Sequence, residues 1–406
     1  VTPPEDFREW AKLVESVVRH FIQRYGREEV LKWYFEVWNE PNLWFFFNST
    51  KSRYFELYRA TALAVKAVDP ALKIGGPATS NFVPDDRFKG EKQEGDKAIT
   101  HQLKNLGEVE WRGVWIEEFL EFCAREKVPV DFVSTHPYPT DIPFGHDVTA
   151  IRTRESDATL TDMQWLRRTI GQSSFPSAEI HLTEWSTSPS ARDFTHDYPQ
   201  SAAYILKTNI AGAGLVDSLA YWTFTDVFEE HGAGDSAFHG GFGLINYQGI
   251  VKPAFHAYRF LHQLGTEEIF RADGFLATRS KNTGHVRAVT CHYPEQYPGS
   301  PPFAVSIEEA EKILAIGKPV HRSLEIHDLP PGSPYLIETV DAVHGFAVRA
   351  WQAMGEPQSP TPDQVALLRD LGWDTRREIV RVDVEGVLRL ELTLSPWAIA
   401  LIREMA

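Results

Sequence analysis

Apolar positions at the start of the chain recur at spacings of three and four. Phe7, Trp10, Leu13, Val14, Val17, Val18 and Phe21 share one face, which predicts a helix opened by Pro3 and Pro4 and closed by Gly26. Residues 32–39 then form a run of strand formers too short to be a helix. The same alternation continues to about residue 264. Helices are predicted over 53–68, 114–126, 160–169, 201–212 and 254–264, and strands over 72–75, 130–135, 179–183 and 219–224. Strand and helix in turn, with right-handed crossovers, predict a parallel sheet of five strands covered by helices. Residues 81–112 are polar and charged and read as an excursion between a strand and its helix.

After Gly265 the pattern changes. Residues 286–290, 335–340, 379–384, 388–392 and 397–402 are short strands, several alternating apolar with polar, separated by turns such as Leu329-Pro330-Pro331-Gly332. This predicts an antiparallel β-sandwich interrupted by one helix over 362–371. No internal repeat is visible.

Length and charge narrow the function classes. A chain of 406 residues is long for one small domain and comfortable for two. A net charge of −15 argues against nucleic acid and anionic membrane surfaces as partners. No apolar run approaches the length of a membrane span. Two cysteines, Cys123 and Cys291, cannot build a disulfide framework, so a reducing, cytoplasmic compartment is expected. Aromatic residues make up 12% of the chain; their faces can stack on sugar rings, although a ring-rich core accounts for the same composition.

The carboxyl ends of the parallel strands carry residues that a core does not need. They read Trp38-Asn39-Glu40-Pro41-Asn42, Ser134-Thr135-His136-Pro137-Tyr138, Thr183-Glu184-Trp185-Ser186 and Tyr221-Trp222 running on to Asp226, Glu229, Glu230 and His231. In a β/α-barrel that end builds the active site. Taken singly, each has a plainer reading. A strand-end Glu is usually solvated or ion-paired, Asn39 suits a turn before Pro41, and His136 suits a structural hydrogen bond. Glu36, on the strand face of Glu40, reads as a structural carboxylate paired inside the barrel. Glu229 and Glu230 default to solvent. The spacing of His231 and His239 matches no zinc motif, and Gly240-Gly241-Phe242-Gly243 lacks the Lys-Ser/Thr of a phosphate loop. Together, two carboxylates from different strands are the minimal set for glycosidic bond cleavage. One donates a proton to the leaving oxygen and the other attacks the anomeric carbon.

With these stretches in hand, the chain resembles glycoside hydrolase family 39, the β-xylosidases, a family of the eightfold β/α-barrel clan. The resemblance rests on Phe35–Asn42, Ser134–Tyr138, Leu182–Trp185, Tyr221–Glu230, Phe238–Gly243 and Trp351–Gln358, taken in order. It implies a TIM-type (β/α)8 barrel, of which this chain carries strands four to eight within residues 1–265, followed by an antiparallel β-sandwich accessory domain in residues 266–406. The sandwich then scaffolds the barrel or mediates contacts between copies in a homo-oligomer. The resemblance implies a retaining, exo-acting β-xylosidase that releases xylose from short β-xylosides through a covalent glycosyl-enzyme. The xylo-oligosaccharide or other small glycoside is its partner, and no metal or organic cofactor is implied. Glu40 becomes the general acid/base and Glu184 the nucleophile. Asn39 holds the sugar 2-hydroxyl, His136 and Tyr138 line the same subsite, Trp222 forms an apolar wall, and Glu229 and Glu230 bind sugar hydroxyls. Iduronidase-like, arabinosidase and β-glucosidase specificities, and a catalytically silent sugar binder, are the alternatives. Thr187-Ser188-Pro189-Ser190 departs from the xylosidases, which carry a tyrosine there. No counterpart of the first three barrel strands precedes Pro4. An upstream segment, removed or supplied by another chain, is therefore expected, and this chain alone is expected to have little xylosidase activity.

Overall fold

The computed structural model describes residues 1–141, 151–227, 232–297 and 299–405. Contacts divide the chain into two compact units, one of Val1–Trp185 with Gly214–Tyr221, the other of Ser186–Ala213 with Trp222–Ala406.

The first unit holds a parallel sheet of five strands in sequential order: β1 (Tyr34–Glu36), β2 (Lys73–Ser80), β3 (Phe132–His136), β4 (Glu179–Trp185) and β5 (Ser218–Tyr221). This is the strand order of a TIM-type barrel wall. Helices α1 (Phe7–Tyr25), α2 (Lys51–Val68), α3 (Ile116–Glu126) and α4 (Ala158–Gln172) belong to the same unit. The starts of the first two follow from their caps. Asp6 accepts the Arg8 N–H at α1, and Thr50 accepts the Arg53 N–H at α2. The middle strands are the buried ones, as parallel strands between helix layers must be.

β2 runs five residues beyond the expected stop at Gly75. A Cβ on Gly75 would stand 2.2 Å from the Phe132 carbonyl oxygen, so glycine admits β3 at close range instead of ending the strand. At the amino ends of the strands, Glu179 accepts from Tyr34 (2.6 Å) and Lys73 (2.6 Å) and meets His181 Nε2 at 3.1 Å. Burial would raise the Glu179 carboxyl, but these partners pull it down to about 2.

The excursion between β2 and α3 is organised about a buried cation. Arg87, fully shielded, pairs with Asp85 and Asp141 and donates to Thr100 Oγ1 at 3.0 Å.

In the second unit, helices α5 (Pro199–Gly212) and α6 (Pro253–Leu261) precede an antiparallel sheet. Its strands are β6 (Glu267–Ala272), β7 (Phe275–Arg279), β8 (Val286–Cys291), β10 (Pro334–Val340), β11 (Arg376–Arg381) and β13 (Ile399–Glu404), in the order β6-β7-β8-β13-β10-β11. A separate ribbon pairs β9 (Val320–Ile326) with β12 (Leu388–Leu394). In β12, Leu388, Leu390 and Leu392 are buried with Phe275, Tyr335 and Ile402, which makes the sandwich. Strands β6, β7 and β9 and the helix Ile307–Leu314 escaped the pattern. β6 is an edge strand exposed along most of its length, so no apolar alternation marks it. The helix carried a readable signal, because Ser306 caps the N–H of Glu309.

Gly240-Gly241-Phe242-Gly243 closes around a buried charge cluster in this unit. Lys252 Nζ lies 2.7 Å from Asp197 Oδ1 and 2.7 Å from Asp226 Oδ2, and donates to the Gly241 carbonyl at 2.9 Å. The N–H of Gly240 donates to Asp197 and that of Gly243 to Asp226. A Cβ on Gly243 would stand 2.3 Å from the Asp226 backbone nitrogen, which is why the run is glycine-rich.

Among the described residues, no helix is long and apolar enough to cross a membrane.

Candidate active site

β1 stops at Glu36, and the chain leaves it in a contorted path. Trp38 (φ 72°) and Glu40 (φ 45°) both occupy the left-handed region, which side chains with a Cβ rarely adopt. The path is held from several sides. Glu40 N–H donates to the Ala78 carbonyl at 2.8 Å, and Leu43 N–H donates back to the Glu40 carbonyl at 3.0 Å. Asn42 grips Ser80 on β2, giving its amide N–H to the Ser80 carbonyl and accepting the Ser80 N–H at 3.1 Å. The result carries the Glu40 side chain to the carboxyl end of β3, where it is buried.

His136 ends β3 and is 1% exposed. Its Nδ1 lies 3.0 Å from Glu40 Oε1 and 3.6 Å from Glu184 Oε2. Its Nε2 lies 3.2 Å from Thr183 Oγ1, and that hydroxyl donates to Glu36 Oε1 at 2.7 Å. Tyr138 donates its hydroxyl to Glu184 Oε1. Asn81 sets the Tyr138 backbone by accepting its N–H at 2.9 Å. The pairing of β4 with β5 shifts register between Leu182 and Trp185. Such an irregularity re-aims side chains, and here the consecutive residues Thr183 and Glu184 both reach the same histidine.

Burial pulls the His136 imidazole toward its neutral form. The hydrogen bond to Glu40 and the negative charge of Glu184, Glu40 and Glu36 outweigh that pull, so its pKa stands above the ordinary imidazole value. The arrangement is a carboxylate pair bridged by a base. One donor atom each from Glu40, His136 and Glu184 lies within 4.8 Å of the others, a set that a divalent cation could also bridge.

The structure thus brings Glu40, His136, Tyr138 and Glu184 together within the first unit. Asn39 sits beside Glu40 on the same loop and is exposed. Trp222 is half-buried and opens the second unit's segment after β5. Glu229, Glu230 and His231 lie outside the described residues. Glu36 is exposed and accepts the Thr183 hydroxyl. The alternation of a regular strand, which would put it on the face of Glu40, breaks at Trp38. Sequence reasoning gave no role to Thr183 or Asn42. Both stood inside the quoted motifs, but their partners, Ser80 on β2 and Glu36 on β1, lie on other strands, so nothing local marked their roles.

The profile of "Glycosyl hydrolases family 39" matches residues 1–90 and 88–386. The chain belongs to glycoside hydrolase family 39. This family 39 member is 36% identical over 409 residues to a β-xylosidase of Geobacillus stearothermophilus, spanning 99% of this chain and 71% of that protein. It is 34% identical over 374 residues to a β-xylosidase of Caldicellulosiruptor saccharolyticus, spanning 90% of this chain and 66% of that protein. Among solved structures, a β-xylosidase from Caulobacter crescentus aligns with a TM-score of 0.78 at 32% identity, over 99% of this chain and 75% of the other. A shorter stretch of 78 residues is 42% identical to human α-L-iduronidase, 19% of this chain and 12% of that protein. The chain is a glycoside hydrolase with the family's TIM-type barrel and C-terminal sheet domain.

Proposed function

We propose that this glycoside hydrolase is an exo-acting β-xylosidase that retains configuration, with Glu184 as nucleophile and Glu40 as general acid/base. The observation that carries the reading is the approach of the two carboxylates, whose nearest oxygens lie within 4.8 Å around His136. Retaining enzymes hold their carboxyl groups about 5–5.5 Å apart, too close for a water on the far face of the sugar, whereas inverting enzymes need about 6.5–9.5 Å. Glu184 attacks the anomeric carbon while Glu40 protonates the departing oxygen. Water, activated by the same Glu40, then releases the sugar. Tyr138 orients the nucleophile by donating to Glu184. His136 compensates the charge of whichever carboxylate is ionised. Asn39 binds the sugar 2-hydroxyl, Trp222 stacks on the ring, and Glu229 and Glu230 bind further hydroxyls. The two relatives named β-xylosidase over most of this chain support xylose as the sugar removed. The two cysteines, both unpaired and buried, accord with a reducing, cytoplasmic setting.

A panel of nitrophenyl glycosides, including the xyloside, arabinoside, glucoside and iduronide, tests the specificity, with the anomeric configuration of the first product followed by NMR. Glu184→Ala should abolish turnover of every member. Glu40→Ala should spare aryl xylosides far more than xylobiose, because a good leaving group needs no proton. An inverted first product, or equal losses on the two kinds of substrate, would overturn the assignment.

A further inference from the structure

The position of one hydrogen decides what His136 can do for Glu40, and the structure shows how that position is set. A threonine hydroxyl has one proton to give. Thr183 points it at Glu36 Oε1, 2.7 Å away, and an ionised carboxylate can only accept. The oxygen that remains toward His136 Nε2, at 3.2 Å, therefore offers a lone pair. Nε2 must bring the hydrogen. The other ring nitrogen, Nδ1, is left to face Glu40 Oε1 at 3.0 Å and Glu184 Oε2 at 3.6 Å.

We infer that Thr183 and Glu36 are positioning residues that lock His136 in its Nε2–H tautomer, so that Nδ1 and Glu40 share the proton that glycosidic cleavage consumes. The inference rests on the proposed role of Glu40. The shared proton sits on Glu40 Oε1, donating to a neutral ring, or on Nδ1, donating to a carboxylate. Removing it leaves the Nδ1 lone pair aimed at a charged oxygen, with the Nε2 hydrogen committed to Thr183. That repulsion delays the loss of the proton. Without the Thr183 hydroxyl, the neutral ring can carry its hydrogen on Nδ1 and donate to an ionised Glu40. The pair then loses its proton at lower pH, and the acid needed for the first step disappears sooner. The groups that face His136 are Glu36 and Glu40 from β1 and the loop after it, Glu184 from β4, and the hydroxyl of Tyr138 through Glu184. The pair titrates as a unit, so the limb seen in a rate profile belongs to both.

The test is carried out on the whole chain with 15N-labelled histidine, the His136 signals being assigned by their loss in His136→Gln. Two-bond correlations read the tautomer directly, without reference to turnover. The wild-type ring should show Nε2–H above its titration. Thr183→Val should show Nδ1–H, and its alkaline limb of kcat/KM on an aryl xyloside should move down by about one pH unit, a tenfold change in the proton equilibrium. Thr183→Ser should behave as wild type. Glu36→Gln, whose amide can donate to Thr183 and turn its hydroxyl toward Nε2, should switch the tautomer even if Thr183→Val folds poorly. An Nε2–H signal persisting in both Thr183→Val and Glu36→Gln would overturn the inference, as would a Thr183→Ser shift as large as that of valine. If the tautomer switches as expected while Glu40→Ala affects all leaving groups alike, the lock stands and the acid role of Glu40 falls.

Discussion

Around His136, two carboxylates share a base that can lose its proton. Around Lys252, two carboxylates share one that cannot. The two clusters pair two carboxylates with one base, but differ in that base and in how completely the carboxylates are shielded. Lys252, Asp197 and Asp226 are shielded from solvent, and each carboxylate also takes a backbone N–H. Burial would drive the ammonium to release its proton, yet the two aspartates hold it well above the ordinary lysine value. The cluster pins the segment around Asp226 to the glycine-rich run. The site around His136 is less completely shielded. The Glu184 side chain is 14% exposed, and the histidine is held between burial, which favours its neutral form, and the surrounding carboxylates, which raise its pKa above the ordinary imidazole value. A carboxylate pair becomes chemistry when its counter-charge can leave, and architecture when it cannot.

Exchanging the counter-charge should separate the two roles. Lys252→Met should leave two buried aspartates facing each other, at a cost of about 3–5 kcal/mol, read as a lowered denaturation midpoint or loss of soluble protein. His136→Gln, at the other cluster, should reduce kcat by about 10²–10⁴-fold while the melting midpoint moves far less. A fall in stability as large as that of Lys252→Met would erase the distinction.

Acid should sharpen the contrast through a third base. His256 is buried, donates from Nε2 to the Gly372 carbonyl at 2.7 Å and accepts at Nδ1 from Arg259 Nε at 3.0 Å, so it folds neutral. Burial lowers its pKa to about 4. Its folded value lies below the unfolded one, so its contribution to stability is present above about pH 6.5 and is lost as pH falls toward 4, by about 3 kcal/mol in all. Lys252 contributes no slope in that window. Denaturation midpoints of wild type and His256→Gln across pH 4–7 check this, since the variant should lose most of the slope. The smallest effect is expected where a charge pair is exposed. Lys312 and Glu308 meet at 3.0 Å with side chains 69% and 80% exposed, and Lys312→Ala should leave the midpoint within measurement error.

How much of this was legible depended on the distance over which a residue acts. The parallel strands and their order could be read because each short run of strand formers alternates with a helix, a pattern that answers to its own neighbours. Glu40, His136, Tyr138 and Glu184 could be read because each stands at a strand end where a core has no use for it. Thr183 could not, since its partner lies on β1 and its side chain reaches His136 only through a register shift that no local pattern encodes. Lys252 was equally hidden. A lone lysine before Pro253 looks like a helix-start surface residue, and its aspartates belong to distant segments. Gly240–Gly243 was legible as unusual, but its cause, a backbone folded onto Asp226, appears only in three dimensions.

The left-handed backbone at Trp38 and Glu40 carries an evolutionary consequence. Residues with a Cβ resist that conformation by roughly 1–2 kcal/mol each, and glycine does not. On the proposed role of Glu40, random change there has a direction in which the protein grows firmer as it falls silent. A lineage released from the need to cleave sugars would drift along it, and descendants that keep the scaffold but lose the reaction should be found with glycine or asparagine at this position.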